Sequence, residues 1–259
     1  TVNVDITDAG RDRWRDDYET TPLRVRVEVS VPRSYNVNLE TAGGNIIVSD
    51  LDGSVRTDTS GGNLEFGNID GTVWGHTSGG NITLEGSTGT AELSTSGGNI
   101  TIGDADGGVD AETSGGNIRI SSSAGDVRAE TSGGHITIDE VGGSVDAHSS
   151  GGNVTATITQ QPGSDSRLST SAGTVTVTLA SDISVDVDAR TSMGGVSSAL
   201  SVDGTVSRNS ISGRINGGGP ELRLRSSAGG IRTRERQPRT EQRTSKELSA
   251  ARAAPFFLA

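Results

Sequence analysis

TSGGNITIGDADGGVDAETSGGNIRI (residues 95–120) contains one full period of the pattern that organises this chain. The pair Gly97-Gly98 returns 18 residues later as Gly115-Gly116. The same pair stands at Gly43-Gly44, Gly61-Gly62, Gly79-Gly80, Gly133-Gly134 and Gly151-Gly152, on the same 18-residue spacing. A second glycine lies midway, at Gly53, Gly71, Gly89, Gly107, Gly125 and Gly143. An internal repeat of this period marks a solenoid, in which each unit buries its apolar face only against its neighbours.

Each half-period alternates apolar and polar residues, the period of a short strand. Glycine at each end marks a turn with positive φ or a close backbone approach. The expected fold is therefore all-β. It is a single-stranded β-solenoid, or β-helix, of 18-residue coils made of two nine-residue halves, with parallel strands about 4.8 Å apart. Stacking converts sequence columns into ladders. One inward column reads Ile46, Leu64, Ile82, Ile100, Ile118, Ile136, Val154; the facing strand supplies Val55, Val73, Ala91, Val109, Val127, Val145. Thr59, Thr77, Thr95, Thr113, Thr131 and Ser149 also point inward by parity, so each hydroxyl needs a partner on the next rung or a turn carbonyl.

The composition of the 259-residue chain agrees with a slim stacked core. It has 38 glycines, one methionine, no cysteine and 3% aromatic residues. Absence of cysteine excludes a disulfide framework, a thiol nucleophile and Cys-ligated zinc. No apolar run is long enough to span a bilayer, and an anchor or signal peptide upstream of Thr1 would lie outside this chain. Residues 1–230 carry 30 acidic against 15 basic side chains, which argues against nucleic acid as a partner.

Three segments follow. Residues 1–40 lack the repeat but contain the alternating stretch LRVRVEVSVP (23–32), read as an N-terminal cap. Residues 41–231 form the solenoid, regular to about 156 and irregular afterwards. There Gln160–Asp165 lengthens one turn and the pattern resumes at 170–179, 193–198, 212–215 and 227–231. Residues 232–259 form a basic tail, either disordered or a short helix opened by Thr244-x-x-Glu247.

The TSGGNI ladder, the opening VPRSYNVNLETAGGNI (31–46) and the closing INGGGPELRLRSSAGGIR (215–232) resemble a bacterial adhesin family, a domain of unknown function that forms a β-solenoid with Gly-Gly-Asn rungs. The resemblance spans roughly residues 23–232. It implies a cell-envelope or extracellular location, and it brings no catalytic residues with it.

Among candidate sites, the column Asn45, Asn63, Asn81, Asn99, Asn117, His135, Asn153 reads as a structural ladder of stacked turn side chains rather than a ligand array. The calcium β-roll pattern fails because the fourth and sixth positions of the nonapeptide are apolar. No metal or cofactor is expected. An acidic edge, Asp50, Asp52, Asp70, Asp104, Asp106, Asp139 and Glu140, reads as solvated turns. His76 and His148 share a column four rungs apart, about 19 Å, too far to form a metal pair. No serine is expected beside a His-Asp pair, so no catalytic set is assigned. One outer face is flat and rich in threonine; Thr83, Thr101, Arg119, Thr137 and Thr155 form the candidate binding row.

These features point to a non-catalytic cell-envelope or secreted solenoid, an adhesin-like binding or spacer module whose partner is a protein or an envelope polymer. An envelope-stress or signalling accessory that binds a protein partner is the alternative, and a polysaccharide-active β-helix enzyme is the third reading.

Overall fold

A computed structural model describes residues 3–8 and 25–236. All regular elements among them are strands, so the fold is the all-β solenoid expected. Two sheets face each other. A 12-stranded sheet carries Val37–Thr41, Val55–Thr59, Val73–Thr77 and their successors, and an 11-stranded sheet carries Ile46–Val48, Leu64–Asp70, Ile82–Ser87 and theirs. From Val37 to Leu179 the coils stack parallel in sequence order.

Period-two alternation makes these strands because one face is buried and the other solvated. Ile82, Ile100, Ile118 and Ile136 are fully buried in one column, and Ile102, Ile120 and Ile138 in the next. The other sheet contributes one buried column of Val73, Ala91, Val109, Val127 and Val145 and a second of Gly75, Leu93, Ala111, Ala129 and Ala147, smaller for the most part than the isoleucines. The pairing is steric. A Cβ on Gly75 would lie 3.1 Å from Phe66 Cζ and 3.0 Å from Leu93 Cδ2.

The two glycines of each turn have different duties. A Cβ on Gly97 would have its nearest neighbour at 3.6 Å, whereas one on Gly98 would sit 1.9 Å from the Gly80 carbonyl oxygen. The second glycine thus lets successive turns approach backbone to backbone; neither glycine of this pair has a positive φ.

The inward hydroxyls close the turns. Thr113 Oγ1 donates to Gly98 O at 2.8 Å and accepts from Gly116 N at 3.2 Å, and Thr77, Thr95, Thr131 and Ser149 repeat the arrangement. Each hydroxyl joins its own turn to the preceding coil.

The ends depart from the sequence reading. The segment 23–32, expected to cap the first coil, contains the strand Val25–Ser30, but that strand pairs antiparallel with Asn3–Asp8 in a separate two-stranded sheet. Lacking a Gly-Gly turn, it has nothing to set it into coil register. The stack begins before residue 41, because Val37–Thr41 already pairs in register with Val55–Thr59. At the other end the coil extends past residue 231: Ile231–Glu235 is a full strand, and Arg236 N bonds Leu179 O at 2.7 Å. The possible helix near Thr244 lies outside the described residues.

The largest difference concerns order. The last coil in sequence, Glu221–Ser226 with Ile231–Glu235, stacks directly on Ser166–Thr170 and Val175–Leu179. The coil that precedes it in sequence, Val185–Thr191 with Val196–Ser198, lies outside it. Residues 212–215, read as a resumed coil, belong to Ser210–Ile215, which runs antiparallel to Val185–Thr191 and pairs with Asp203–Val206 as a hairpin closing the sheet. Each coil carries an equivalent pattern, so periodicity alone does not reveal which neighbour it selects.

Candidate functional site

The predicted binding row exists as one line across the 11-stranded sheet. Thr83, Thr101, Arg119, Thr137 and Thr155 occupy successive rungs, and the row continues through Thr176 to Arg232. A parallel row holds Thr157, Thr178 and Arg234. Thr83 and Thr101 are exposed, Thr137, Thr155, Thr176 and Thr178 half-buried, and Arg232 and Arg234 exposed. Arg119 does not stand free, because its guanidinium pairs with the Asp139 carboxylate on the same face. The 18-residue count does not reveal Thr176 and Arg232 as row members, because the insertion 160–165 breaks it and residue 232 falls in the expected tail.

The asparagine column binds the chain to itself. Asn63 N donates to Asn45 Oδ1 at 2.9 Å, and the same bond, at 2.8 Å, links Asn81 to Asn63, Asn99 to Asn81 and Asn117 to Asn99. His135 N donates to Asn117 Oδ1, and Asn153 N donates to His135 Nδ1 at 2.9 Å. His135 thus provides the same acceptor as an asparagine, and Asn153 Oδ1 receives Thr174 N to carry the ladder past the insertion. These side-chain oxygens are already engaged with the neighbouring rung.

Five members of the acidic edge, Asp50, Asp52, Asp70, Asp139 and Glu140, are engaged in the same way. Asp50 Oδ1 accepts from Asn68 N at 2.8 Å and Asp70 Oδ1 from Thr88 Oγ1 at 2.7 Å, while Asp52 pairs with Arg33 and Glu140 with Arg236. Asp126 accepts from both the amide and the hydroxyl of Ser144, and these bonds hold its carboxyl below the usual carboxylate range. Among the described residues, no three His, Asp or Glu side chains converge as metal ligands.

The opposite, 12-stranded face carries the more varied chemistry. Its first outer row reads Arg56, Trp74, Glu92, Asp110, Arg128, Asp146. The Arg56 guanidinium lies 3.6 Å from the Trp74 ring centroid, and the Trp74 indole N–H donates to Glu92 at 3.2 Å. Further along, burial pushes the Asp110 carboxyl up; Arg128 opposes this, while Glu92, Glu112 and Glu130 add to the rise. From 37 to 160 the chain carries 17 acidic and three basic side chains, against seven and nine from 161 to 236. Negative charge is therefore concentrated on the regular stack.

The second outer row of this face brings histidine and serine into contact. Asp58, His76 and Ser94 sit on adjacent rungs, and His76 Nδ1 lies 2.8 Å from Ser94 Oγ. Glu130, His148 and Ser169 repeat the triple, with His148 Nδ1 2.9 Å from Ser169 Oγ. In each triple the serine lies against the histidine and the acid occupies the next rung in register, with Glu130 paired to Arg128 at 2.7 Å rather than to His148. The strands holding Ser94 and Ser169 are each paired on both sides, which commits backbone N–H groups of the kind that elsewhere form an oxyanion hole.

Two facing sheets of stacked coils, with polar side chains bonded rung to rung, define a β-solenoid repeat protein. The family model described as Toastrack DUF4097 matches residues 23–234, and the chain belongs to that family. No curated protein and no solved structure matches it.

Proposed function

We propose that this chain is a non-catalytic binding or spacer module of the cell envelope or of secreted material, adhesin-like in its role. One observation carries the reading: the outward row Thr137, Thr155, Thr176, Arg232, with Thr157, Thr178 and Arg234 beside it, repeats hydroxyl and guanidinium donors at one-rung steps. Steps of about 4.8 Å along a flat sheet suit an extended envelope polymer bearing hydroxyl and anionic groups. The test is co-sedimentation of the full chain with isolated envelope polymer. Thr155→Glu combined with Arg232→Glu should abolish binding without changing the melting temperature. Undiminished binding by this variant would refute the assignment.

A second reading, a signalling accessory that binds a protein partner, is favoured by Trp74 and Arg56, since Trp and Arg dominate binding hot spots. Trp74→Ala would then abolish partner capture while leaving polymer binding intact. Ester or glycan turnover that disappears in Ser94→Ala would instead establish an enzyme.

A further inference from the structure

The coil Glu221–Ser226 with Ile231–Glu235 is last in sequence but not last in space. Its first strand lies between Ser166–Thr170 and Val185–Thr191, parallel to both, and its second lies between Val175–Leu179 and Val196–Ser198. Among the described residues, the outer coil 185–198 shares no strand pairing with the rod except through this inserted coil. Leu222, Leu224 and Ile231 are buried on it to 1% exposure or less. The turn bonds follow the spatial order. Ser226 Oγ donates to Gly173 O at 2.9 Å, and Thr191 Oγ1 donates to Gly229 O at 2.6 Å. The rod and the outer coil therefore form two walls of a slot, and the C-terminal coil fills it.

The connection into the slot is short and bent. Asn216, Gly217 and Gly218 have φ of 51°, 92° and 90°, three successive left-handed residues, and Asn216 is the one non-glycine with positive φ among the described residues. Its side-chain amide holds the bend by donating to Ser181 O and Ile183 O at 2.9 and 2.8 Å. Pro220 follows. Straightened, the five residues 216–220 would span roughly 17 Å, and the left-handed bend would be relieved.

A slot with both walls built from other parts of the chain recognises the coil's sequence, whichever molecule supplies it. We infer that the slot also accepts residues 221–235 of a second copy, so that two chains exchange C-terminal coils. Every ladder bond and buried leucine of the single chain is reproduced in the exchanged pair. Only the hinge differs, so concentration and hinge strain set the balance. This inference is independent of what the outer faces bind.

The lack of cysteine allows a direct test. Thr178 and Arg234 are register partners across the slot and point outward. Full chains carrying Thr178→Cys and full chains carrying Arg234→Cys, distinguished by mass tags, are mixed, partially denatured at high concentration, refolded and oxidised. Exchange predicts a disulfide-linked heterodimer well above the level from a control mixture of Thr155→Cys and Thr176→Cys chains, whose strands pair within the sequential rod. A heterodimer no more abundant than in the control, from chains that melt like the parent, overturns the inference. Gly217→Ala supplies a second arm. No atom lies within 4 Å of its Cβ position, so the change acts only on the left-handed backbone. It should raise the exchanged fraction by roughly fivefold or more, and an unchanged or lower fraction would count equally against exchange.

Discussion

The coils from Val37 to Ile158 and the coils from Ser166 to Glu235 use the same inward columns and the same turn bonds, yet they are assembled differently. In the first region each coil lies on the coil that precedes it by 18 residues in sequence. In the second, the final coil is inserted between two earlier ones, and an antiparallel hairpin closes the end. Local order makes the first region a chain of equivalent nearest-neighbour interfaces, whereas in the second, among the described residues, the strands outside the inserted coil pair with the rod only through it. The stacking interface is thus indifferent to sequence order, and connections and end-caps decide how the coils are dealt out.

The strongest way to break the regular region is Ile100→Asp, which places a charge at a fully buried position. A loss above about 4 kcal/mol, seen as an unfolded circular-dichroism spectrum, is expected. Leu224→Ala should cost roughly 2–5 kcal/mol. Hydrogen exchange should show its distinctive feature: residues 185–215 lose protection together while 55–131 keep theirs. Uniform loss along the rod would contradict the joining role of the inserted coil.

Thr113→Val leaves Gly98 O and Gly116 N without their hydroxyl partner and should cost about 1–3 kcal/mol in denaturant unfolding. Acid should separate the two regions. Asp188 bridges the outer coil to Arg225 of the inserted coil at 2.5 Å; burial raises its pKa, but Arg225 and Arg190 outweigh burial and hold it below the usual range. Its stabilisation is present above the ordinary carboxylate value and lost as pH falls through the lowered one. Asp110 in the regular stack has the opposite sign. Its ionisation costs stability at neutral pH, and the cost vanishes once pH falls below the ordinary value. Thus Asp188→Asn should lower and Asp110→Asn slightly raise the melting temperature at pH 7, with both differences fading in acid. The smallest effect belongs to Thr101→Arg, an exposed outward position, with a melting temperature within about 0.5 kcal/mol equivalent of the parent.

The coil period, the inward columns, the threonine bonds and the asparagine ladder were legible because a one-chain repeat makes rungs from residues 18 apart. The column Asp58, His76, Ser94 follows from the same arithmetic, but the contact between its histidine and serine does not, because no short motif joins residues separated by whole coils. Arg56 over Trp74 is likewise a contact between rungs, with no local signature. The inserted coil shows itself only in the burial: Leu222, Leu224 and Ile231 are fully buried, while Val196 and Ser198 are only half-buried, as suits a coil at the end of a stack.

By itself the sequence determined the all-β solenoid, its 18-residue coil and which side chains face the core, because alternation and glycine spacing act on the backbone within each coil. The tertiary structure alone decided the order of the last coils and the partner of the N-terminal strand. Those outcomes depend on which edges remain free when each segment packs, and parallel strand pairing is equally satisfied by any coil that presents the matching columns.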